Sequence, residues 1–153
     1  MLRHPSLRPL SRQHHHALAL CVLIRRGLGG AQPDLGGLAR RVLRDFEGEI
    51  RGHFDAEERI LFPEARRVDD LEPLVERLLG EHRRLERLVA ALAAQPAAAA
   101  LEEFATLLHS HVRVEENELF EQLQNRLDSG ALARLGKALE GLPGPACSTE
   151  EPV

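Results

Sequence analysis

The stretches HFDAEERILF (53–62) and HVRVEENELF (111–120) spell one pattern, His-x-x-x-Glu-Glu-x-x-Leu-Phe. A histidine and a glutamate four residues apart lie on the same face of an α-helix. The flanking residues continue that face. Phe46, Ile50, His53, Glu57 and Leu61 fall at steps of four, three, four and four, and Leu101, Phe104, Leu108, His111, Glu115 and Leu119 at steps of three, four, three, four and four. Each polar pair therefore sits inside an apolar stripe and is predicted to point into a core.

Working outward, Leu74, Leu78, His82, Leu85, Val89 and Leu92 form a third such stripe, which places His82 inward. Near the start, His14, His15 and His16 stand in a row, and one of them must be chosen. Aligning QHHHAL (13–18) with GEHRRL (80–85) pairs His15 with His82 and Leu18 with Leu85. His15 is then the inward residue, with His14 and His16 outside. The repeat is thus larger than a decamer: a helix with one histidine precedes a helix with His-x-x-x-Glu, twice over.

Leu, Ala, Arg and Glu dominate the 153 residues, and Tyr and Trp are absent. Such a composition favours helix nearly everywhere. GLGGAQPDLGG (27–37) breaks the first helical pattern, Asp69 and Asp70 are positioned to cap the third, and Gln95–Pro96 ends it. The predicted fold is all-α: an up-down-up-down four-helix bundle with a short extra helix, ALARLGKALEGL, at its C-terminal end. Residues 1–141 make one domain, and PGPACSTEEPV completes a flexible tail over 142–153. A formal charge of −4 without a basic stripe argues against nucleic acid as a partner. No apolar run approaches the ~20 residues that cross a bilayer, so no membrane is expected. The start lacks the apolar core of an export signal, which predicts a cytoplasmic address. Cys21 and Cys147 are no disulfide framework; Cys21 is expected in the core and Cys147 as a spare thiol.

Four inward imidazoles and two inward carboxylates in one bundle are costly unless they are paired or bound to metal. Neutral imidazole and carboxylate are good ligands for a first-row dication, which removes that cost. Six donors in two equivalent halves exceed what one tetrahedral ion uses. Two repeat-related carboxylates can each bridge a pair of ions, with a histidine pair toward each. The ferritin-like signature Glu-x-x-His occurs at none of the eight histidines, and His-Glu-x-x-His is also missing.

HHHALAL, HFDAEERILFP, GEHRRL and HVRVEENELF, in that order over about Ser11 to Asp128, resemble the hemerythrin-like (HHE cation-binding) domain family. The resemblance implies a non-haem di-iron centre of two iron ions that binds dioxygen or a related small oxidant such as nitric oxide or peroxide, or that senses iron itself. Carried over by position, His15, His53, His82 and His111 would be terminal ligands, and Glu57 and Glu115 the bridges. The oxygen carriers of the family have a second histidine on the third helix, where this chain has Glu86. Glu86 is accordingly either a seventh ligand or a solvated side chain, and Glu58 is a further candidate. The expected role is a metal- and oxidant-binding protein rather than an enzyme. The alternatives are a metal-stabilised interaction or regulatory module and, third, a dinuclear metal-dependent enzyme.

Overall fold

A computed structural model describes residues 2–141. The tail expected over 142–153, with Cys147, lies outside the described residues.

A short 3-10 turn, Pro5–Leu7, leads into α1 (Arg8–Leu28). α2 (residues 35–66) begins where Asp34 accepts a hydrogen bond from the Gly37 amide at 3.0 Å. α3 (Glu72–Ala94) carries Pro73 in its first turn, where a missing N–H costs nothing. α4 (residues 98–126) follows Pro96, and α5 (Ser129–Glu140) is capped by Asp128, which accepts from the Ala131 amide at 2.7 Å. Ser129 and Gly130 form the first turn of α5. Asp69 and Asp70 do not cap α3. Asp70 instead reverses the chain with φ 69°, a left-handed conformation that aspartate adopts more readily than most residues.

α1 packs mainly on α4, α4 on α3, and α2 on both α1 and α3, which closes the four-helix bundle. α5 lies against the N-terminal turn. That approach is close: a Cβ on Gly136 would stand 2.6 Å from Ser6 Oγ and 3.0 Å from its Cα.

Two features position the centre. First, the core falls into two apolar clusters. One gathers Ala17, Phe54, Leu85 and Leu108; the other gathers Leu10, Leu61, Leu78 and Leu119. The polar layer lies between them along every helix. Cys21 is fully buried in the first cluster, where burial raises its pKa to about 11. Second, α2 and α4 contain π turns. Those at Glu57–Leu61 and Glu115–Leu119 coincide with the Glu-Glu-x-x-Leu of each decamer. The amides of Phe62 and Phe120 reach back five residues to the carbonyls of Glu57 and Glu115. Adjacent side chains on a regular helix diverge by ~100°. The widened turn brings both Leu61 and Phe62, and both Leu119 and Phe120, into the core.

Candidate metal centre

One histidine from each long helix enters the polar layer: His14, His53, His82 and His111, all at most 6% exposed. Glu57 and Glu115 lie between them with no exposure. On α1 the inward residue is His14, not His15, which faces solvent. The buried residues of α1 follow Leu10, His14, Ala17, Cys21 and Ile24, at steps of four, three, four and three, with Leu20 beside them. The alignment with GEHRRL fails because α1 has alanine three residues after its histidine, where α3 has Leu85. Leu18, used to set the register, is only partly buried. The stripe itself was the signal that would have identified His14.

Glu86 is also displaced from the expected set. It is 32% exposed and accepts from Arg83 at 2.6 Å, because its position on α3 is one residue past the buried Leu85. Glu58 touches His82 Nδ1 at 3.4 Å and also pairs with Arg83, so it backs a ring rather than entering the layer. His16 is exposed and bonded to Glu49 at 2.7 Å. His4 is partly buried, and its Nδ1 accepts from the Ser6 amide.

The donors form two groups that share both carboxylates: His14, His53, Glu57 and Glu115, and Glu57, His82, His111 and Glu115. Each carboxylate turns one oxygen to each group. Glu57 Oε1 lies 2.9 Å from His53 Nε2, and its Oε2 lies 3.1 Å from His82 Nε2. Glu115 Oε2 is 3.0 Å from His14 Nε2, and its Oε1 is 3.2 Å from His111 Nε2. His82 and His111 bring their Nε2 atoms within 3.1 Å of each other.

Protein hydrogen bonds leave this layer unsatisfied. His14 Nε2, His53 Nε2 and all four oxygens of Glu57 and Glu115 are buried without a well-formed partner. Each such atom costs about 1–3 kcal/mol, more when charged. Two dications facing two imidazoles and one oxygen of each carboxylate would satisfy all six atoms at once. The donor set fits the metal.

The electrostatics agree. Burial alone would raise the Glu57 pKa, but His53, His14 and His82 hold it well below 4.5. Burial and Glu57 raise that of Glu115, and His111 and His14 outweigh them. Burial would lower the His111 pKa, yet Glu115, Glu81 and Glu57 push it up to about 10. His14 moves the same way through Glu115, Glu116 and Glu57, against burial. The carboxylates are ionised, and protons on His14 and His111 hold the place that a cation can take.

Behind every ring stands an acceptor for Nδ1. His14 meets Glu116 at 2.7 Å, His53 meets Gln13 at 2.7 Å, His82 meets Glu58 at 3.4 Å and His111 meets Glu81 at 3.2 Å. An Nδ1–H donated outward leaves Nε2 as the ligand atom. The last Phe of each decamer completes the enclosure: Phe62 lies 5.5 Å from His82 and Phe120 5.4 Å from His14. Sequence reasoning missed Gln13 and Glu81 as partners. Each immediately precedes an inward histidine, and only the packing of neighbouring helices shows which ring it serves.

A cavity of about 30 Å³ opens beside the layer, bordered by His14, Ala17, His53, Phe54, His111 and Val112. It has room for roughly one water-sized molecule. The short side chain of Ala17, which concealed the register of α1, also borders this space.

A model of the hemerythrin HHE cation binding domain matches residues 7–123. The chain belongs to this family. No curated protein and no solved structure matched it. As a hemerythrin-like domain it is a cation-binding protein, and its two buried clusters have the geometry of a dinuclear site open to a small molecule. No helix among the described residues is long and apolar enough to cross a membrane.

Proposed function

We propose that this hemerythrin-like domain holds two iron ions and binds a small oxidant, dioxygen first among them, in the cavity beside His14 and His53. The single observation that carries the reading is the two-faced placement of Glu57 and Glu115, each with one oxygen toward either histidine pair. His14 and His53 would hold one ion, His82 and His111 the other, with both carboxylates shared. Iron supplies redox activity and coordination positions beyond the four donors that the chain offers each ion. The chain's own contribution is to orient the imidazoles through their Nδ1 partners and to keep water scarce with Leu20, Ile50, Phe54, Leu108 and Val112.

The test combines metal analysis with a cavity-filling variant. Protein purified anaerobically from iron-replete cells should carry about two irons per chain, and its ferrous spectrum should change on addition of oxygen or nitric oxide. Ala17→Leu should keep the iron and slow that change by at least about tenfold, because three added carbons occupy the space. Zinc as the resident metal, with no uptake of iron after exchange, would sink the reading. A spectrum that responds equally in both proteins would place ligand binding elsewhere. A full complement of iron with no response to any small oxidant would favour the metal-stabilised regulatory module.

A further inference from the structure

The centre has an internal twofold relation. His14 corresponds to His82, His53 to His111, Glu57 to Glu115 and Glu58 to Glu116. The same relation pairs Gln13 with Glu81: each precedes the histidine of its helix and meets Nδ1 of the histidine on the next. Here the symmetry fails. His111 is backed by a carboxylate, His53 by a neutral carboxamide.

The other three rings have anionic partners, each in contact with an arginine. Glu116 binds Arg3 at 2.7 Å, Glu81 lies 3.4 Å from Arg77, and Glu58 pairs with Arg83. A carboxylate accepting from Nδ1–H pushes electron density into the ring and makes Nε2 a stronger donor, whereas a carboxamide does so less. Changes at such outer partners typically alter metal affinity by about 10–100-fold. His53 is also the most exposed of the six buried polar residues, at 6%.

We propose that Gln13 is a positioning residue that makes the His14/His53 position the weaker and more readily exchanged of the two metal positions, so that the centre fills and empties in a set order. The proposal rests on the two-metal reading above. The His82/His111 position fills first. The position beside the cavity is occupied only when metal is more plentiful, which gives the domain a half-loaded state that depends on metal supply.

The experiment is anaerobic titration of the metal-free full chain with cobalt(II), followed by calorimetry and by the visible absorption of bound cobalt. Wild type should bind two ions in steps separated by at least about tenfold. His53→Ala should abolish the weaker step and leave the tighter one. Gln13→Glu, nearly isosteric, should tighten the weaker step by about tenfold and narrow the separation. Its folding is checked by helical circular dichroism. Two equal steps in wild type, loss of the tighter step in His53→Ala, or an unchanged separation in Gln13→Glu would each overturn the ordering while leaving the dinuclear centre intact. Uptake of fewer than two ions by wild type would overturn both.

Discussion

Exchanging His14 or His15 for alanine separates two adjacent residues that the sequence presents as equals. His14 is 1% exposed, with Nε2 3.0 Å from Glu115 and Nδ1 2.7 Å from Glu116; His15 faces solvent. Metal sites worth about 10–16 kcal/mol over four ligands give roughly 3 kcal/mol per ligand. That is about a hundredfold in affinity. His14→Ala should therefore weaken one of the two ions by about two orders of magnitude, and also removes the ring stacked on Phe120 at 5.4 Å. His15→Ala, a surface change, should stay within about 0.5 kcal/mol, or roughly twofold. The assay is calorimetric titration of each metal-free variant with cobalt(II) under anaerobic conditions, with circular dichroism to confirm equal helix content. If His15→Ala loses an ion while His14→Ala keeps both at wild-type affinity, the register of α1 is wrong and the centre must be rebuilt around the other residue.

Glu86→His should change neither metal content nor affinity by more than about twofold, since that side chain is a surface partner of Arg83. In metal-free protein, the raised pKa of His111 contributes stability that is fully present below its ordinary 6.5 and lost as pH rises toward about 10. Because an ion needs the neutral ring, metal affinity should rise over that same window. The gap in Tm between loaded and metal-free protein should accordingly widen with pH, and a gap that narrows would contradict the assignment. Gly136→Ala should cost about 1–3 kcal/mol by forcing Ser6 away from α5. Gly80→Ala, with nothing within 4 Å of the new methyl, should be neutral or stabilising in the same thermal melts.

The repeated decamer and the apolar stripes of the other helices were enough to read a helical bundle and five of its inward residues, His53, Glu57, His82, His111 and Glu115. The reason is local: residues four apart on one helix share a face whatever the helix packs against. Helix order and loop positions were legible for the same reason, from turn residues and helical periodicity.

Interactions between helices were not legible in this way. The choice between His14 and His15 was an exception, carried by the stripe of α1, but Leu18, next to the alanine at 17, gave the alignment a misleading anchor. Glu86 matched a ligand position by analogy, yet the rotation of α3 turns it toward Arg83 and solvent. The π turns at Glu57 and Glu115 were likewise hidden, because the demand for the wider turn comes from burying Leu and Phe together against the rest of the bundle. Gln13 and Glu81 look like ordinary polar neighbours of histidines on their own helices; the rings they serve belong to the next helix. Sequence periodicity determined which residues each helix could turn inward. Only the packing of one helix against another decided which atoms met across the gap, because those distances depend on helix rotation and axial offset, which no single helix encodes.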